Sequence, residues 1–317
     1  MVALGRLIYG ATVAKSWRIG VASLPIRDWL DEALTTRSMP STEMAWTESH
    51  TPGEFYADPI TFAGTKEDRV LFERYRPWRG RGEICVGTIA AGEIRDIGPI
   101  VSKPLVHFAF PSTQAGNGVI YTVPDSDYFP SHSPLYVGES PTSLVLLGPI
   151  ASVPRLKDPV LQWLGDRYWL FGLEGRRELT RSVVFWSNDP KGEWTPVPSV
   201  IDGSGVARRS AGPIVEMGGR LIRPRQEGAT NYGQAVTLTE ITELSEDCYD
   251  ERDLLTLTPP DDWPARDGFH TLSGTDRWTV VDACIDTRAT LAGVHRVLGR
   301  GRSRIWATIG GRSFESE

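Results

Sequence analysis

The sequence predicts an all-β fold, a five-bladed β-propeller in which an N-terminal strand closes the last blade. Three observations carry this reading. A hairpin phrase recurs five times along the 317 residues. Helical periodicity is scarce. The 23 prolines and 32 glycines are spread evenly, as many short turns require.

The clearest copy of the phrase runs from Lys157 to Phe171. Asp158-Pro159 opens a strand, Gly165-Asp166 supplies turn chemistry, and Tyr168 to Phe171 returns as an apolar strand. Degraded copies start at Asp58-Pro59, Phe110-Pro111, Gly212-Pro213 and His270-Thr271. The anchors 59, 111, 159, 213 and 270 are separated by 52, 48, 54 and 57 residues. A hairpin unit of about 50 residues is the size of a propeller blade. An isolated hairpin is marginal in water, so each unit must lean on its neighbours.

Taken in order, Trp17 to Ala22 reads as the closing strand, expected to pair with the region near 294–309. A short helix is the best reading of Ile26 to Leu34, inside a connector over 25–49 that Trp46 anchors. Blades are expected over about 55–97, 104–149, 154–198, 208–244 and 268–310, the last completed by 17–22. Residues 127–133 read as an insertion, and the whole of 1–317 as one domain.

Net charge is −6 and the isoelectric point about 5.5, which argues against a nucleic-acid partner. Arg74, Arg76, Arg79 and Arg81 form a basic stretch, read as a solvated hairpin loop or as an anion-contacting lid. No apolar run is long enough to span a membrane, and the first 16 residues are too polar for a signal peptide. Cys85, Cys248 and Cys284 form no CxxC pair, and their odd number fits a reducing compartment. A cytoplasmic protein is expected, with no membrane partner.

The first strand of each propeller blade lines the central channel, and a tight hairpin returns the second strand to the same mouth. Asp58 is therefore expected beside Glu73, Phe110 beside Asp125, Asp158 beside 172–174, Arg209 beside 225–227, and His270 beside Asp282. Acids from separate blades converge on one axial pocket, where paired carboxylates can divide the roles of proton donor and base. Candidate catalytic residues are Asp58, Asp158, Glu73 and Asp125, with Glu174 a further candidate acid. An Asp before proline is also a common turn former. Candidate ligand-binding residues are His107, Arg209, Arg225, Gln226, Tyr232 and His270. For the arginines the plainer reading is ion pairing between blades, and for the histidines a hydrogen-bonded place in the core. No His, Cys and Asp set has zinc spacing and no Gly-rich phosphate loop precedes a helix, so neither metal nor cofactor is expected. The expected partner is a small molecule.

Several motifs occur in a telling order: Phe55-Tyr56-Ala57-Asp58-Pro59, Leu71-Phe72-Glu73, His107-Phe108-Ala109-Phe110-Pro111, Lys157-Asp158-Pro159, Arg223-Pro224-Arg225-Gln226, Asn231-Tyr232-Gly233 and His270-Thr271-Leu272-Ser273. This series resembles the propeller domain at the N-terminus of glucosamine inositolphosphorylceramide transferases. That domain is similar in turn to five-bladed glycoside hydrolases of the arabinanase–xylosidase and invertase types. The resemblance implies an axial pocket for a sugar-like ligand, Asp58 as base or nucleophile, and Asp158 as the charge that tunes its neighbours. The general-acid Glu of the hydrolases has no counterpart here. Phe110 replaces a usual Tyr, Asp125 a usual Glu and Ser210 a usual Pro.

The expected function is acid–base chemistry, glycosidase-like or related, on a small polar molecule, with Asp58 as base and Glu73 or Asp125 as donor. A non-catalytic carbohydrate- or partner-binding propeller is the alternative, and a cyclase or lyase a third reading.

Overall fold

The structure, a computed structural model, describes residues 13–62, 67–116, 118–175, 180–202, 208–227 and 232–288. It is a five-bladed propeller of separate, largely antiparallel sheets. Blade one is built from Phe55–Phe62, Asp68–Arg76, Arg81–Ala90 and Glu93–Val101. Blade two uses Phe108–Gly116, Val119–Ser126, His132–Gly138 and Val145–Pro154. Blade three uses Lys157–Leu164, Arg167–Glu174, Arg181–Ser187 and Thr195–Pro196.

Blade four begins with the short Val215–Met217, followed by Arg220–Glu227 and Ala235–Leu244. It does not stop at 244, the end expected from the sequence. Cys248–Leu257 adds a fourth strand, and Ser199–Asp202 pairs with it in parallel as a fifth. The parallel strand comes from the chain that leaves blade three, so the linker doubles as an edge cover.

The closing strand, Val13–Ala22, is the third strand of blade five and pairs antiparallel with Thr279–Arg288 along its whole length. The region 294–309, expected as its partner, lies outside the described residues. Leu272–Gly274 is the inner strand of this blade, and Met44–Thr47 the outer one. Between the two N-terminal strands lies a helix, Ile26–Thr36. Its buried residues Ile26, Trp29, Leu30 and Ala33 follow helical spacing, so one stripe packs down while Asp28, Asp31 and Glu32 face out. Trp46 does anchor this connector, edge-on to Trp263 at 5.1 Å.

The apolar core sits between the blades. Phe171, Val184 and Tyr249 fill the wedge between blades three and four, and Val123, Leu170 and Trp194 that between two and three. Each such side chain contributes on the order of 2 kcal/mol by leaving water.

The inner strands carry one further device. A first strand has no neighbour on its channel side, which leaves backbone N–H groups to satisfy. Side chains of the preceding blade do this. Ser112 Oγ accepts the Leu161 N–H at 2.7 Å, Gln114 Oε1 the Trp163 N–H at 2.9 Å, and Gln162 Oε1 the Ile214 N–H at 2.7 Å. Asp58 Oδ2 accepts the Phe110 N–H at 3.1 Å. Ser273 Oγ, in turn, donates to the Pro59 carbonyl at 2.7 Å and joins blade five to blade one.

The basic stretch forms the hairpin turn of blade one and is not a free lid, although Arg79 stays 54% exposed. Arg74, Arg76 and Arg79 turn onto Glu83 at 2.6, 2.7 and 3.7 Å. Cys85 and Cys284 are buried free thiols, and Cys248 is half-buried. Among the described residues no helix is long and apolar enough to cross a membrane.

Candidate active site at one end of the channel

The site begins with a backbone irregularity repeated in three blades. Strand pairing slips between Ala57 and Ile60, between Ala109 and Pro111, and between Lys157 and Val160. Within each slip the residue before proline has positive φ: Asp58 at 55°, Phe110 at 43° and Asp158 at 45°. In blade four Gly212, before Pro213, holds φ 148°. Proline donates nothing to the ladder and is tolerated at such a bulge. A left-handed residue other than glycine costs roughly 1–2 kcal/mol. A bulge re-aims a side chain, and here it delivers Asp58 and Asp158 to the channel end.

The second strands return to the same level, as the hairpin register requires. Ala57 pairs with Glu73, and Ala109 with Asp125. The Asp282 N–H meets the Thr271 carbonyl at 3.2 Å. Asp58, Glu73, Asp125, Asp158 and Asp282 are all buried.

Asp58 is the hub. Its N–H donates to Asp282 Oδ2 at 3.0 Å, and Thr271 Oγ1 donates to its Oδ1 at 3.4 Å. His270 spans the two acids, with Nδ1 2.7 Å from Asp282 and Nε2 3.5 Å from Asp58. The imidazole stacks on Trp17, with ring centroids 3.8 Å apart. Burial pushes the Asp58 carboxyl up to about 7; His270 opposes this, and Asp158 and Asp282 add to it. For His270 burial disfavours the charge, but Asp282 and Asp58 outweigh it and leave the imidazole above its ordinary value.

Around this hub each acid has a different partner. Asp158 Oδ2 accepts from Gln226 Nε2 at 3.1 Å and lies 3.3 Å from Arg209 Nη1. Burial raises its pKa, against the pull of Arg209. Asp125 is gripped by Lys157 Nζ at 2.8 and 3.1 Å. Glu73 Oε1 has no hydrogen-bond partner. His107 Nδ1 lies 3.8 Å from it, and that nitrogen already accepts the Gly82 N–H at 2.8 Å. Burial, then repulsion from Asp58, Asp125, Asp158 and Asp282, drives Glu73 well above the carboxylate range. Glu73 is therefore pushed toward its protonated form.

His107 is 32% exposed at its side chain, yet the atoms packed about the ring hold it down to about 4. It is a neutral wall of the pocket. Tyr232 is 49% exposed, with the Arg209 guanidinium 5.2 Å above its ring. Acids thus form the floor, while Lys157, Arg209, His107 and Tyr232 form the rim.

Arg225 does not belong to this group. It is fully buried on the face of its strand that also carries Arg223, paired with Glu251 and donating to the Arg208 carbonyl at 3.2 Å. Strand alternation explains the split: Gln226 reaches the channel, so Arg223 and Arg225 turn toward blade three, where Arg223 lies over Phe171 at 5.2 Å. Glu174 is also elsewhere, 2.6 Å from Arg181 on a hairpin.

Sequence reasoning missed Lys157, Thr271 and Trp17 as site residues, and placed Asp282 beside His270 without giving it a role. Asp282 had a signal, since Phe72-Glu73, Pro124-Asp125 and Val281-Asp282 occupy equivalent second-strand ends. Lys157 had a weaker one: a bulge lets two consecutive side chains reach one pocket. Asp58, His270 and Asp282 each place one donor atom within 4.8 Å of the others, and these are the atoms an ion would use. Because the Nδ1 side of His270 is engaged by Asp282, Nε2 and the carboxylate oxygens are the donors left for one.

Residues 39–261 match the family described as glucosamine inositolphosphorylceramide transferase 1, N-terminal. The chain is 26% identical over 215 residues to Glucosamine inositolphosphorylceramide transferase 1 of Arabidopsis thaliana, covering 65% of this chain and 28% of the relative. The protein of that name from Oryza sativa subsp. japonica is 24% identical over 216 residues, with the same coverage. This chain thus spans little more than a quarter of the length of these curated relatives. Among solved structures it superposes on RS223 β-xylosidase with a TM-score of 0.51 at 11% identity, covering 74% of this chain and 93% of that one. A GH43_1 enzyme from Xanthomonas citri complexed with xylose gives 0.50 at 14% identity, covering 82% and 95%. At such identities the likeness is one of fold. The ordered motifs, the five blades and the profile match agree: this chain belongs to the glucosamine inositolphosphorylceramide transferase N-terminal family.

Proposed function

We propose that the acid-lined end of the channel binds a sugar-like molecule and performs acid–base chemistry on it, with Glu73 as proton donor and Asp58 as base. The observation that carries the reading is the unequal treatment of the acids. Glu73 is buried, without a partner at Oε1, and burial pushes it toward the protonated form that a donor to a leaving oxygen needs. Asp125 has both oxygens engaged by Lys157 and is the poorer donor. Asp58, poised near 7, can take up a proton at working pH, and the Asp282–His270 pair orients it. Asp158 and Arg209 hold opposite charges beside the reacting groups and are positioning residues. Tyr232 and Arg209 offer a stacking face and donors for hydroxyl groups, while Gln226, whose Nε2 donates to Asp158 and to the Ser210 carbonyl, positions Asp158. The names of the relatives, which refer to an inositol-bearing lipid and to xylose, support a polyol as the ligand class.

The test is turnover of aryl glycosides and glycosyl-inositol substrates by Asp58→Asn and Glu73→Gln. Each change is expected to cost about 10²–10⁴ in rate. A substrate bearing an activated leaving group should rescue Glu73→Gln but not Asp58→Asn. Equal turnover by wild type and both variants would end the proposal.

A second reading rests on a specific contact. Both oxygens of Asp58 already accept protein hydrogen bonds, from Phe110 N–H and Thr271 Oγ1. This favours a site that binds and does not turn over. It predicts saturable polyol binding without turnover, and heat instability of Asp58→Asn.

A further inference from the structure

Three loops beside the pocket have no part in the chemistry above. Residues 77–80 join the second and third strands of blade one, 102–107 lead from its outer strand into blade two, and 127–131 join the second and third strands of blade two. All three leave the propeller at the acid end, the level of Glu73 and Asp125. They are tied to one another. Arg81 Nε donates to the Leu105 carbonyl at 3.2 Å, and the His107 N–H to Asp127 Oδ1 at 2.7 Å. Lys103 Nζ donates to the Tyr128 hydroxyl at 2.8 Å and lies 4.0 Å over that ring.

Two of the loops repeat one local design. Arg76-Pro77-Trp78-Arg79 and Lys103-Pro104-Leu105-Val106 are tight turns, each closed by an N–H to carbonyl bond across its ends, at 3.0 and 3.3 Å. Each sets a cation, a proline and then a large apolar residue at the tip. Trp78 is 48% exposed and Leu105 63%. Leu105 holds φ 67°, the left-handed value that a type II turn needs at its third position and that Gly or Asn ordinarily supplies. A leucine there strains the backbone and exposes apolar surface at once, and such a residue points to function. The third loop adds half-buried Phe129 and exposed Pro130.

Charge selects the occupant. The chain carries −6 overall, yet here Arg74, Arg76, Arg79, Arg81 and Lys103 outnumber Glu54, Glu83 and Asp127, the acids beside them. Arg81 and Lys103 donate to neutral oxygens, so these bonds leave their charge uncancelled.

We infer that this face is a docking surface for an anionic lipid membrane, with Trp78 and Leu105 entering the interfacial layer and Arg79, Arg81 and Lys103 at the level of the headgroups. Single apolar side chains raised on turn tips suit a fluid layer, which closes around them. A folded partner would need a matching pocket for each. The indole favours the interfacial depth. Each cation near an anionic leaflet strengthens binding about fivefold. His107, a wall of the pocket, belongs to the middle loop, so the docked molecule opens its acid mouth toward the headgroups. The lack of a spanning helix among the described residues concerns crossing, not surface contact. The inference does not depend on the chemistry proposed for the acid end.

The experiment is flotation of the full chain with vesicles of mixed phosphatidylcholine and phosphatidylserine, and with vesicles of phosphatidylcholine alone. The chain is expected to float with the mixed vesicles and not with the neutral ones, and added salt should weaken binding. Leu105→Gly and Trp78→Ala should each weaken it about fivefold or more. Arg79→Gln combined with Lys103→Gln should weaken it about 25-fold. Glycine relieves the strained turn at 105, so Leu105→Gly should melt at or above the wild-type temperature, and a lost fold cannot account for lost binding. The control is Trp163→Ala. Trp163 is 43% exposed in the cavity of about 630 Å³ at the other mouth of the channel, and its loss should leave flotation unchanged. The inference is overturned if the wild-type chain does not float, if Leu105→Gly and Trp78→Ala float as wild type does, or if Trp163→Ala lowers binding as much as they do. It is also overturned if the chain ignores vesicles but binds soluble dextran sulfate equally in wild type and both apolar variants. That result would give the face to a soluble polyanion.

Discussion

At one mouth of the channel five carboxyl groups are buried around one histidine, with two outer cations. At the other mouth the same inner strands end in threonine, glutamine and tryptophan, and buried Asp68 beside them is paired with Thr275 and Arg277. The acid end also carries the left-handed residues before Pro59, Pro111 and Pro159. Backbone strain and uncompensated charge therefore fall at the same end of one strand set, while the other end is regular. In a ring held together by inter-blade packing, such a concentration is stable only because the surrounding sheets over-determine it.

The strongest way to sharpen this contrast is to ask what a compensated buried charge is worth next door. Arg223, Arg225 and Glu251 lie between blades three and four, and Glu251 also accepts from Thr239 Oγ1 at 3.2 Å. Glu251→Gln leaves two buried guanidinium groups short of charge. It is expected to cost about 3–5 kcal/mol in urea unfolding. A loss below about 1 kcal/mol would mean that water reaches the cluster and that burial of charge is not tightly enforced in this region.

A smaller effect comes from adding one methyl group at each end. A Cβ on Gly82 would lie 2.1 Å from Glu73 Oε1 and 2.5 Å from the Phe108 carbonyl oxygen. The Glu73 carboxyl can swing away, but the Phe108 backbone cannot. Gly82→Ala should therefore cost about 1–3 kcal/mol by overpacking. Gly116→Ala, at the far end of the blade-two inner strand, meets nothing within 4 Å. It should change stability by less than about 1 kcal/mol, with a gain more plausible than a loss because the unfolded chain loses freedom. Equal melting temperatures for the two variants would break the contrast.

Much of the acid end was legible in the sequence because its cause is periodic. The step before proline recurs, the hairpins are tight, and so Asp58, Asp158, Glu73 and Asp125 had to share a rim. What was hidden depends on facing and on contacts distant along the chain. Arg225 and Gln226 are neighbours in sequence, and only strand alternation sends one to the core and the other to Asp158. Trp17 reaches His270 because a strand from the other end of the chain completes blade five, a contact no local pattern encodes. The fourth strand of blade four was hidden because Asp250, Glu251, Arg252 and Asp253 run together in Cys248–Leu257 and blur its strand alternation. The distal cavity was invisible for a related reason: Thr61, Gln114 and Trp163 form no motif, and only ring closure brings them together.

The gentlest test of the contrast is pH. Asp58 and Glu73 have carboxyls raised by folding, Asp58 to about 7. The folded state therefore holds protons that the unfolded chain, with ordinary values near 4, releases. Their contribution is complete below about pH 4 and is lost as pH rises through the folded values. His270 is also raised, so its contribution is complete below its ordinary 6.5 and is lost on the same upward path. Glu83, lowered with Arg74 and Arg76 beside it, has the opposite sign, and its contribution falls away only in acid, below its ordinary 4.5. Between about pH 5 and 8, then, the melting temperature should decline by a few degrees. Asp58→Asn should flatten the decline, because it removes the hub to which His270 and Glu73 are coupled. Thr61→Val, at the other mouth, should leave the slope as in wild type. A slope untouched by Asp58→Asn would place its origin outside the acid end, and would remove the claim that this end alone holds its protons against solvent.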